Sequence, residues 1–264
     1  MIRLGQYLPG DTVVHHLDPR VKILSVVALS IVIFGATAAE ILLISAFLSA
    51  VFAAARMTPA QALGALRPVA FFMAMIFLVH LLFTEGPPIP SFAPLPVKIT
   101  QEGLFRALYV TWQFACLVLG AAVLTLTTPP SDLVGGIERL LRPLSRVGVP
   151  SQDLAVMIAM ALRFMPILLE EYDRIRMAHM ARGADFTSGS LGQRTRAATA
   201  LAVPLLLSAF RRADELAIAM EARGYRRGPR TTLRELALSG RDLGALAVMA
   251  AFLLTNFAFR IAIR

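Results

Sequence analysis

A chain of 264 residues that is 57% hydrophobic and only 16% charged, with a mean hydropathy of +0.68, lies well above the roughly 45–50% apolar share of soluble domains and must turn much of its surface to lipid. The one cysteine, Cys116, sits inside an apolar run, which excludes a disulfide framework and a Cys/His zinc spacing. The formal charge of +9 fits either a nucleic-acid face or the cytoplasmic loops of a membrane protein, and its placement along the chain favours the loops.

The first apolar run begins at Ile23, after a polar leader with a proline and without a small-residue cleavage site, so a retained membrane helix is expected rather than a signal peptide. Asp18 supplies an N-cap and Pro19 the first helical position; Arg20 and Lys22 read as cytoplasmic anchors, which puts the N-terminus inside. Residues 23–39 and 41–55, parted by Glu40, form a tight membrane hairpin, each arm near the lower limit of about 17 residues for a span. A third run at 69–83 follows Arg67-Pro68, and a fourth at 107–128 follows a proline-rich loop at 86–96 that should be external. His80 and Trp112 lie within these runs and read as packing or interfacial groups.

From residue 129 to 241 charges recur within the apolar stretches. Residues 154–169 contain Arg163 and Pro166 and run straight into Glu170-Glu171-Tyr172-Asp173; an arginine at mid-bilayer would cost about 2.5 kcal/mol or more. Residues 197–210 contain Pro204 and are too short to span. Both therefore read as long helices at or below the interface. A last run, 243–259, is long enough to cross. The expected architecture is an all-α polytopic membrane protein with about five spans: a membrane region at 1–128, coupling helices at 129–241 and a C-terminal membrane helix at 242–264. Of the 26 lysines and arginines, only Lys98, Arg106, Arg260 and Arg264 then fall outside, as the positive-inside rule requires.

A shift of 41 residues lays Asp173–Gly183 over Asp214–Gly224, with Asp, Ala and the closing Ala-Arg-Gly identical. Each copy is rich in helix formers and stops at a glycine suited to a left-handed cap, with arginine in the last turn, where the helix dipole favours a cation. Such a tip suits a groove with carboxylates, because a guanidinium binds them bidentately. Two matched tips fit a partner with two similar docking sites. The chain has no Gly-x-x-x-x-Gly-Lys-Ser/Thr loop, so a nucleotide would be held by that partner.

Other clusters read more plainly. Glu170, Glu171 and Asp173 with Arg174 and Arg176 are at the spacing of intrahelical pairs on a wet face, not of a catalytic centre. His15-His16 lacks companions for a metal. Met157, Met160 and Met165, with Met177, Met180 and Met220, crowd the two long helices, where soft side chains suit a surface that accepts different carriers or simply fill a helix contact. Arg211-Arg212 and Arg226-Arg227 with Arg230 flank apolar helices and read as anchors to anionic lipid rather than nucleic-acid contacts.

Nearly the whole chain resembles the transmembrane T component of energy-coupling factor (ECF) transporters. The resemblance is carried by Pro9-Gly10-Asp11, by His16-Leu17-Asp18-Pro19-Arg20, by residues 128–144, by Ala161-Leu162-Arg163-Phe164 with Pro166, by Met180 to Phe186, and by Ser208 to Tyr225. It implies a bundle of membrane helices plus cytoplasmic coupling helices. Two of these would cross and dock on two ATP-binding-cassette (ABC) ATPases by Ala181-Arg182-Gly183 and Ala222-Arg223-Gly224. It also implies a separate S component that captures a vitamin or metal ion in a prokaryotic cell membrane, with Met157, Met160 and Met165 as candidate contacts. The T component itself would hold no cofactor and catalyse nothing, ATP and Mg being bound by the ATPases. The leader and loops are closest to modules shared among several S components. The competing reading is the pore-forming permease of a conventional ABC importer, which would need a polar pathway through its own spans.

Overall fold

The computed structural model describes residues 7–87, 100–143, 151–184, 191–225 and 239–263. They form nine helices, α1 (Pro19–Phe34), α2 (Ala38–Ala54), α3 (Pro59–Leu66), α4 (Ala70–Phe83), α5 (Gln101–Thr127), α6 (Pro130–Leu141), α7 (Ser151–Ala181), α8 (Leu191–Ala222) and α9 (Gly240–Ile263), with a 3-10 turn at Arg67–Val69. Most of the proline-rich loop at 86–96, together with Arg226, Arg227, Arg230 and Arg264, lies outside the described residues. The chain divides into two compact units, Met1–Ile137 with Glu235–Arg264, and Glu138–Arg234.

In the first unit three stretches are long and apolar enough to cross a membrane: Pro59–Phe83, Gln101–Thr127 and Gly240–Ala262. The two arms of the hairpin are shorter, 16 and 17 residues, or about 25 Å against a hydrocarbon core of about 30 Å. The third span starts at Pro59, ahead of the sequence expectation at Val69. Thr58 and Gln61 cap its start reciprocally, and the missing N–H of Pro68 is absorbed by the 3-10 turn, so α3 passes into α4 without a break.

Helix α5 packs against α1, α2, α3 and α4, and α9 packs on α1 and α2. Leu29, Ile33, Ile41, Ile44, Leu48, Cys116 and Phe252 make the core, where Phe47 stacks on Phe252 with centroids 4.1 Å apart. Outward-facing side chains such as Ile31, Phe34, Phe71 and Phe83 remain exposed, as lipid-facing residues must. Trp112, half-exposed, donates its indole N–H to Ser45 Oγ at 2.8 Å, and His80 stays within its own helix, 2.9 Å from the Ile76 carbonyl.

The hairpin turn is set by Thr37, whose capping box with Glu40 starts α2; Glu40 is 1% exposed. Neighbouring side chains add donors to carbonyls at and just past the end of α1. Tyr109 donates its hydroxyl to the Ala36 carbonyl, and Gln113 Nε2 donates to Ile33 O at 2.5 Å. The Arg260 guanidinium lies beside Gly35, a favourable place for a cation at a helix C-terminus. Since the start of α9 also meets the start of α1, through the Asp18 N–H to Asp242 Oδ1 bond of 2.7 Å, α1 and α9 run parallel. That gives Arg260 a structural partner at the far end of α1.

The opposite end of this unit is a buried polar cluster. Asp18, Lys22, Thr127, Thr128 and Asp242 are each at most 6% exposed. Lys22, expected as a headgroup anchor, is instead turned inward: its ammonium donates to His15 O and Thr127 O at 3.1 Å and to Thr128 Oγ1 at 3.0 Å. Arg20 pairs with its own N-cap residue, Asp18, at 2.7 Å. The leader is strapped to the same end by the Leu8 N–H on Leu126 O at 3.0 Å.

Helices α4 and α5 approach closely at Gly103. A Cβ there would stand 3.1 Å and 3.2 Å from the Leu81 and His80 carbonyl oxygens and 2.7 Å from Thr100 Oγ1, the atom that caps Gly103 N–H. Two of these contacts are backbone, so α4 must move. Gly103→Val is expected to cost about 1–3 kcal/mol, read as a lowered unfolding temperature in detergent, whereas Gly64→Val, which meets open space, should cost less than about 1 kcal/mol.

Candidate functional site: two capped helix tips

The second unit is dominated by α7 and α8, of 31 and 32 residues, each about 47 Å long at 1.5 Å per residue. Each runs unbroken through an internal proline, Pro166 or Pro204. Proline lacks the N–H that would bond four residues back, so the carbonyls of Leu162 and Ala200 lose that donor.

Both helices stop by the same device. Gly183 has φ +84° and Gly224 φ +73°, the left-handed region open to glycine. Around Gly183 the Gly183 N–H bonds Met180 O at 3.0 Å and the Ala184 N–H bonds His179 O at 3.0 Å. Around Gly224 the equivalents are Gly224 to Glu221 O and Tyr225 to Met220 O, both at 2.9 Å. These are paired Schellman closures. They leave Ala181, Arg182, Gly183, Ala222, Arg223 and Gly224 all exposed, and a Cβ on either glycine would meet nothing within 4 Å.

Where the helices meet, Arg212 Nη2 lies 3.7 Å from Glu171 Oε2. The 41-residue shift that superposes the tips also carries position 171 onto 212, so α7 and α8 touch at equivalent points of the repeat. From each contact residue the chain runs the same number of residues to its arginine, about 16 Å along the helix. The pair is partly exposed, 38% and 23%, and by itself contributes no more than about 1 kcal/mol; its meaning is geometric.

The unit also leaves apolar surface uncovered. Val203, Leu206, Leu207 and Phe210 are each at least 50% exposed and follow i, i+3, i+4, i+7, a single face of α8. On α7, Leu154, Met157 and Ile158 are exposed, while Met160 and Met165 are half-buried. The α8 stripe, unlike the methionines, is no part of the sequence expectation, although its i, i+3, i+4, i+7 spacing is readable.

Among the described residues no three His, Cys, Asp or Glu side chains gather to hold a metal. His15 bonds Thr12 Oγ1 at 2.7 Å, and His16 bonds Asp11 at 2.5 Å. That hydrogen bond and the imidazole's charge hold the exposed Asp11 carboxyl below its usual range.

Residues 10–233 match the family described as cobalt transport protein, CbiQ. Relatives named energy-coupling factor transporter transmembrane protein EcfT include the following three. That of Thermosediminibacter oceani is 43% identical over 246 residues, 92% of each chain. That of Brevibacillus brevis is 42% identical over 255 residues, 96% of this chain and 95% of the relative. That of Bacillus subtilis is 40% identical over 256 residues, 95% and 96%.

Proposed function

Since this chain belongs to the CbiQ/EcfT family of energy-coupling factor transporter transmembrane proteins, we propose that it transmits ATP binding and hydrolysis by two partner ABC ATPases to a substrate-binding S component. The cargo is a vitamin or metal ion, taken up across a prokaryotic cell membrane with the N-terminus of this chain cytoplasmic. The observation that carries this reading is the pair of exposed Ala-Arg-Gly tips, closed by the same hydrogen bonds and equally distant along their helices from one contact point. Two like tips suit two like grooves, and the grooves supply carboxylates to the two guanidiniums.

ATP and Mg belong to the ATPases, and this chain performs no catalysis of its own. Closure of the ATPase pair on ATP draws the tips together. The motion passes up α7 and α8 and reshapes the apolar faces behind them. The α8 stripe from Val203 to Phe210 and Met157, Met160 and Met165 on α7 face the S component, whose membrane helices cover the stripe and Met157, which are exposed in this chain.

Co-expression tests the assignment. A tagged chain should retain both ATPases on purification, and vesicles holding the four-protein complex should accumulate cargo only with ATP and an S component. Uptake without any S component would point instead to a pore-forming permease, and recovery of the chain without ATPases would remove the coupling role.

A further inference from the structure

At the end of the first unit where α1 and α9 begin and α2 and α5 finish, the helices leave a cavity of about 610 Å³. Val26, Val51, Val123 and Val248 line it, one from each helix, with Val13 of the leader at its edge. Lys22 also lines it, but its ammonium is held by three oxygens. Arg241 is different. It lies on the lining, is exposed, and makes no ion pair among the described residues.

We propose that this cavity takes one acyl chain of an anionic phospholipid, with the lipid phosphate against Arg241. The walls offer almost nothing for a polar ligand to bond. The volume is within the range of ligand sites. A narrow flexible chain fits such a space. The cation at the rim supplies the complement for a phosphate, and the clustering of Arg20, Lys22 and Arg241 at this end places it on the cytoplasmic side, the leaflet richer in anionic lipid. The site depends on that orientation and not on ATPase docking.

Gly244 offers a direct test, because it lines the cavity and a Cβ there meets nothing within 4 Å. Gly244→Leu should fold, with a better helix former in place of glycine, while filling the space. The full chain is reconstituted in phosphatidylcholine vesicles containing phosphatidylglycerol with a diazirine in one acyl chain, irradiated, and the labelled peptides are mapped. Labelling is expected at residues 47–51, 120–127 and 244–249, at least fivefold weaker in Gly244→Leu and unchanged in Gly64→Leu, which adds a side chain in open space away from the cavity. Arg241→Glu should weaken labelling by the phosphatidylglycerol probe at least fivefold, and by a phosphatidylcholine probe less, because its choline offsets the phosphate charge. Labels confined to outer faces such as Phe71 and Phe83, or equal labelling in Gly244→Leu, would overturn the site. Equal labelling by phosphatidylglycerol in Arg241→Glu would overturn the headgroup contact.

Discussion

Uptake by the assembled transporter should fall to background when Arg182 and Arg223 are both changed to Glu, and both ATPases should be lost on purification. Each tip presents an exposed guanidinium at the end of a helix whose closure is fixed by two backbone hydrogen bonds. Losing one buried charge pair costs about 2–5 kcal/mol, and even the lower figure is about a thirtyfold loss of affinity. Reversing the charge would add repulsion against the carboxylates proposed for the two grooves. Single reversals should leave one tip engaged and weaken rather than abolish assembly. Arg182→Lys combined with Arg223→Lys separates charge from shape: lysine keeps the charge but lacks the bidentate fork, so intermediate retention is expected. Gly183→Ala with Gly224→Ala tests the cap, because an L side chain in the left-handed region costs about 1–2 kcal/mol per site; partial uptake with intact arginines is the expected result. A double Glu variant that still carries two ATPases and supports uptake would remove the tips from the mechanism.

The parts of this molecule written in local pattern were legible, and those made by the meeting of distant residues were not. The 41-residue repeat announced two alike helix ends, and Gly183 and Gly224 adopt the left-handed conformation that their position after Ala-Arg suggested. Asp18-Pro19 starts α1 as read, with the Asp18 carboxylate accepting from Arg20 N–H at 2.9 Å. Lys22 was misread because a lysine beside an apolar run is ordinarily a headgroup anchor, whereas its acceptors at Thr127 and Thr128 lie 105 and 106 residues along the chain. The third span was cut short because Pro68 reads as a helix boundary; the capping signal at Thr58-Pro59 lay further upstream. Arg260, one of the four cations expected outside, has a partner in the end of α1 that nothing near it in the sequence announces. The contact of Glu171 with Arg212 joins equivalent repeat positions, but a repeat says which residues correspond, not which ones touch.

The polar cluster at the start of α1 and α9 should be the most sensitive point for stability of the membrane unit. Asp242 is 2% exposed and accepts three hydrogen bonds: from Asp18 N–H at 2.7 Å, and from the Ser239 N–H at 2.7 Å and hydroxyl at 2.8 Å. The bond from the Ser239 N–H is the half of a capping box that a serine three residues before an acidic group announces in sequence, whereas the second oxygen's reach to the start of α1 is not announced at all. Asp242→Ala removes the α9 cap and leaves the Asp18 N–H buried without an acceptor. It also takes a negative charge from beside Arg20 and Lys22, each of which feels Asp242 electrostatically. An orphaned buried donor costs about 1–3 kcal/mol and a lost cap about 1 kcal/mol, so the purified chain should unfold roughly 5–15 °C lower in detergent. Asp242→Asn keeps one carbonyl oxygen, which can still accept from Asp18 N–H but cannot supply the charge, and should fall between. Ser239→Ala loses only the hydroxyl bond, because the Ser239 N–H is backbone and stays, and should cost well under half as much. Equal losses for Asp242→Ala and Ser239→Ala would mean that the cap alone matters and that the link from α9 to α1 contributes nothing to holding the unit together.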